Sequence, residues 1–132
     1  ACLHILLLRL SLGDPLDSVE EEWRSFSGQI QQMKVASQTA MHTLIGRVIL
    51  YLKGLVPTSA SFSGEDFDEV SFAASLLKNG LQFPLSFYQA EKQKLDYFRD
   101  KHEEAVRMAA EQLSKPSVWL STLPDICFYG CL

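Results

Sequence analysis

The chain has little of what catalytic, membrane-spanning or nucleic-acid-binding proteins require. Only three of its 132 residues are cysteine, Cys2, Cys127 and Cys131, and none lies in the middle of the chain. An odd count so placed is not a secreted disulfide framework and points to a reducing, cytoplasmic setting. Cys127 and Cys131 stand four residues apart with no second ligand pair, so free thiols are expected rather than a metal or redox pair. No apolar run approaches the ~20 residues that cross a bilayer. "CLHILLLRL" near the N-terminus lacks the basic start and small-residue cleavage site of a signal peptide, and Arg9 interrupts it; it reads as a buried segment. The start at Ala1 rather than Met is read as that of a piece of a longer protein.

Positive charge is also scarce. Twelve Lys and Arg against sixteen Asp and Glu leave a formal net charge of -4, and the basic residues are scattered. That removes the electrostatic footprint of a nucleic-acid binder and of a polybasic lipid-binding patch. The glycines are isolated, so there is no phosphate-cradling loop or dinucleotide fingerprint. The serines of "SQT", "TSASFS" and "STL" have no nucleophile context such as GxSxG. "DKHEEAVRMA", residues 100 to 109, begins like the HExxH zinc motif, but Val106 stands where the second histidine belongs, and one imidazole does not hold a metal. His102 is expected on the core side of a helix. Its enzymatic alternative pairs it with Asp96 or Glu103. Glu20, Glu21 and Glu22 fan out over about 200° of a helix and do not converge on a cation. No metal, cofactor or catalytic residue is assigned.

What remains is an ordinary globular composition, 47% hydrophobic and 21% charged, with strong helical periodicity. Asp14 and Pro15, and Ser18 with Glu21 three residues later, are helix-start signals. Behind them Val19, Trp23, Phe26, Ile30, Met33, Ser37, Ala40 and Leu44 alternate in steps of four and three, a heptad-like seam. No proline intervenes before Pro57, so one helix is expected to run to Lys53 and stop at Gly54, about 54 Å long if unbroken, with any kink at Gly28. Its last part, "LIGRVILYLKGL", is apolar nearly all round and should be covered on two sides. A second, shorter helix is expected from near Gly64, capped by Ser63 with Asp66 and carrying a Phe67, Val70, Ala74 and Leu77 stripe, with "KNG" as its stop. A third is expected from Pro84 to Lys115, with Tyr88, Leu95, Phe98, His102, Ala105, Ala109 and Leu113 near one face. Pro124 limits the apolar C-terminus, with Trp119 and Phe128, to a short turn and tail.

These elements predict a single all-α domain over residues 1–132: an antiparallel bundle of three main helices, two long and one short, with apolar N- and C-terminal segments packed on it. The short helix cannot cover both long ones, so part of the seam is left for the termini or another chain. The expected function is a non-enzymatic helical interaction module, its partner another protein or a second copy of itself. Trp23, Phe26, Ile30, Met33, Trp119 and Phe128 are the candidate contact residues. "LHILL" at 3–7 has the LxxLL spacing of some groove-docking helices but is expected to be core. The competing class is an apolar-ligand or lipid-binding bundle, with Phe, Leu and Ile lining a cavity.

Overall fold

The computed structural model describes residues 2–56 and 61–114. Among these residues the chain is all α-helical and contains no strand: α1 Cys2–Leu12, α2 Leu16–Met33, α3 Ala36–Leu52, α4 Glu69–Lys78, α5 Gln82–Tyr97 and α6 His102–Leu113. They fall into two compact units, one ending at Glu69 and one beginning at Val70. No described helix is long and apolar enough to cross a membrane.

Both helices expected to be long are in fact pairs of helices. The first breaks at Lys34, which adopts a left-handed conformation with φ 51°, and the next helix starts at Ala36. The second breaks before His102, where Asp100 has φ 59°. The N–H of Asp100 donates to Tyr97 O at 3.1 Å and that of Lys101 to Asp96 O at 2.9 Å, the paired bonds of a Schellman stop. L-residues visit this region at a cost of roughly 1 kcal/mol or more, so neither break is signalled by glycine or proline. Gly28 lies inside α2 and ends nothing. Gly54 and Gly80 do stop helices as expected, with φ 72° and 63°.

In the first unit α2 and α3 lie side by side and antiparallel, and α1 packs on both. The seam is buried, but along two helices that face each other. Val19, Ile30, Ala40 and Leu44 are buried, Trp23, Phe26 and Ser37 are partly buried, and Met33, at the reversal, is exposed. Met41, Ile45, Val48 and Ile49 complete the interior with Leu3 and Leu6 of α1. Each such burial contributes roughly 1.5–3 kcal/mol. The apolar girdle of α3 is thus covered by α1 and α2, and the N-terminal segment is a helix seated on that core.

The starting signals of α2 are used differently from their sequence reading. Ser18 accepts a hydrogen bond from Arg9 Nη2 at 2.7 Å, and Asp14 pairs with Arg9 Nε at 2.7 Å. No side chain caps the helix at Pro15. The shorter helix begins at Glu69 rather than near Gly64, because Gly64 and Phe67 close a tight turn through reciprocal backbone bonds of 2.9 and 3.3 Å. Ser63 Oγ then accepts the N–H of Glu69 at 3.0 Å, so the cap is real but serves a later start.

In the second unit α5 and α6 pack antiparallel, with Ala90 against Ala109. Phe87, Leu95, Ala105 and Leu76 are buried. Three residues of the expected stripe are exposed: Phe98 and His102, which flank the reversal, and Leu113 at the end of α6. On α4, Val70 and Leu77 of the expected stripe are 77% and 67% exposed, whereas Leu76 is buried. Trp119, Phe128, Cys127 and Cys131 lie outside the described residues.

Lys34 provides a test of the reversal. Lys34→Gly relieves the left-handed strain and should stabilise the protein by about 0.5–1 kcal/mol in urea unfolding. In an uninterrupted helix the same change would destabilise by about 1 kcal/mol.

Candidate functional site

The contact between α2 and α3 is organised by one aromatic pair. Trp23 stacks on His42 with ring centroids 4.8 Å apart and planes 15° apart. The pair is locked by two reciprocal bonds to backbone. Trp23 Nε1 donates to His42 O at 2.8 Å, and His42 Nε2 lies 2.9 Å from Trp23 O. A carbonyl only accepts, so the imidazole proton sits on Nε2. Gly46, one turn after His42, makes room for the indole: a Cβ there would fall 2.7 Å from Trp23 Cε2 and closer still to Cζ2.

Charge ties the helix ends of the first unit together. Arg9 of α1 reaches Glu22 of α2 at 2.6 Å as well as Asp14. Lys53, just after α3, pairs with Asp17 at 2.6 Å and Glu20 at 2.5 Å near the start of α2. Hydrogen bonds from Lys53, then from Arg24, hold the Glu20 carboxyl below its ordinary range. Pairs of this kind, partly buried at the protein surface, contribute modestly, but they fix which ends meet.

A second polar cluster lies where residues 61–69 fold onto α3. Arg47 Nε donates to Phe62 O at 3.1 Å, and the guanidinium sits 4.6 Å over the Phe67 ring. Its Nη2 is buried, has no hydrogen-bond partner and lies against Gly64. Burial pulls this guanidinium below its ordinary range, and Asp66 opposes the shift. Glu69 is also buried; its carboxylate accepts the N–H of Phe62 at 3.0 Å and the hydroxyl of Ser61. Phe62, fully buried, meets Tyr51 edge-on with centroids 5.8 Å apart. The only charge within "LIGRVILYL" was the available sequence signal for this cluster, because a cation inside an all-round apolar stretch must find acceptors from elsewhere in the chain.

The second unit buries polar groups between α5 and α6. Gln112 Nε2 donates to Gln93 Oε1 at 3.5 Å, both side chains being buried. Asp96, near the end of α5, is buried as well. Desolvation raises its carboxyl above the ordinary aspartate range and outweighs Lys92 and Lys101, while Glu104 adds to the rise and Arg99 opposes it. His102 is displaced from the core-side position expected of it. It opens α6 with its side chain about half exposed, Nε2 3.5 Å from Asp100 Oδ1 and its ring edge-on to Tyr97. The carboxylate beside its ring is thus that of Asp100. Arg107 pairs with Glu104 at 2.7 Å and approaches Glu111 at 3.8 Å.

No group of three or more His, Cys, Asp or Glu among the described residues is arranged to hold a metal ion. Cys2 is a free thiol whose Sγ lies 3.6 Å from Gln29 Oε1. Of the sequence candidates, Trp23 and Ile30 pack internally, Phe26 is partly buried, and Met33 is exposed beside Val35. A different apolar surface stands open on α1. Its inner side buries Leu3 and Leu6, while Ile5, Leu8 and Leu12 are 45%, 62% and 79% exposed. These three recur at helical spacing on one side, with exposed His4 and Ser11 beside them and no formal charge among the five. No protein-family model, curated protein or solved structure matches the chain.

Two substitutions test this geometry. Gly46→Ala should cost roughly 1–2 kcal/mol, because displacing the indole outweighs the helix-propensity gain of alanine; chemical denaturation measures the difference. At Asp96 the folded state holds the proton more tightly than the unfolded chain. Its contribution is therefore fully present below the unfolded aspartate pKa and is lost as pH rises through the raised folded value. Asp96→Asn should stabilise the protein at pH 7 by on the order of 1 kcal/mol, and the advantage should shrink as the pH is lowered toward the ordinary aspartate range.

Proposed function

We propose that this chain is a non-enzymatic helical interaction module that uses the outer face of α1 to dock another protein, or a second copy of itself, in a reducing cytoplasmic setting. The observation that carries the reading is the exposed Ile5, Leu8 and Leu12 row on a helix whose other side is anchored in the core. Apolar side chains aligned on a rigid helix are the anchors of helix-in-groove recognition. The free energy of docking would come from removing them from water, about 25 cal/mol per Å² of apolar surface. Arg9 does not obstruct this face, since its guanidinium is drawn toward Asp14, Ser18 and Glu22.

The structural placement shifts the proposed contact residues. Trp23 and Ile30 act in this reading as the support that holds α2 and α3 in place, and among the described members of the sequence set Met33 is exposed. Three side chains form an anchor rather than a complete interface, which usually buries about 800 Å² per partner. A partner would therefore extend beyond α1.

Light scattering across a concentration series tests self-association, and pull-down with quantitative binding to the recovered protein tests a foreign partner. Leu8→Glu should reduce association at least tenfold while changing folding stability by less than about 0.5 kcal/mol, the usual range for an exposed position. A strictly monomeric chain whose captured partners bind the variant equally well would defeat the proposal. Saturable uptake of an apolar fluorescent probe, unaffected by Leu8→Glu, would instead favour the ligand-binding class.

A further inference from the structure

We draw no further inference here: the strongest candidate, the side-chain cluster around the unpartnered Nη2 of Arg47 beneath residues 61–69, carries nothing because that nitrogen is closed off from solvent against Gly64 and the segment over it bears Glu65, Asp66, Asp68 and Glu69, so nothing in the structure admits or names a ligand for it.

Discussion

The two chain reversals at Lys34 and Asp100 are the constraint on which the rest of the structure depends. Each places an L-residue in the left-handed region, a strain that must be offset by contacts made after the turn. At Lys34 the offset is the α2–α3 interface, where the Trp23–His42 stack, its two backbone bonds and the buried seam become possible only when the helix folds back. At Asp100 it is the closer packing of small residues, Ala90 and Ala109, together with the buried Gln93–Gln112 contact. Local preference is overridden by tertiary packing in both places.

This explains which parts of the architecture were legible in the sequence. The helical class followed from periodicity, and the stops at Gly54 and Gly80 followed from glycine's access to positive φ. The seam from Val19 to Leu44 identified positions that are buried or partly buried, with Met33 the exception. It could not report that the chain turns around within it, because residues separated by heptad steps point the same way along one straight helix and also along each arm of a hairpin. Lys34 and Asp100 offered no glycine or proline to mark the turn. The same blindness affected His102. Periodicity carried across a break that it could not see put the residue on a core face, whereas the reversal leaves it at the surface.

The interior shows a consistent treatment of polar groups. His42 uses its ring face for packing and one nitrogen for a carbonyl, which seats it in the core. Glu69 accepts bonds from the segment just before it, and Arg47 is held through Nε while Nη2 is left unpartnered. These arrangements hold segments in position. The proposed role in association rests on surface, with α1 combining an anchored inner side and an open apolar outer one. That face was within reach of sequence reasoning: the leucines of "CLHILLLRL" cover more of the helix circumference than a single interface consumes, and only the packing of Leu3 and Leu6 showed which side was left over.

The most direct test of the account is a distance measurement across the first reversal. Spin labels at Asp17→Cys and Leu52→Cys, with the native cysteines replaced, report whether the end of α3 returns to the start of α2, where Lys53 meets Asp17 at 2.6 Å. The hairpin predicts an intramolecular separation below roughly 20 Å, the spacing of neighbouring helices plus the label arms. It also predicts that dilution with unlabelled chain leaves this separation unchanged. A separation near 50 Å, that of a straight helix rising 1.5 Å per residue, would contradict the account, as would a short distance that disappears on dilution.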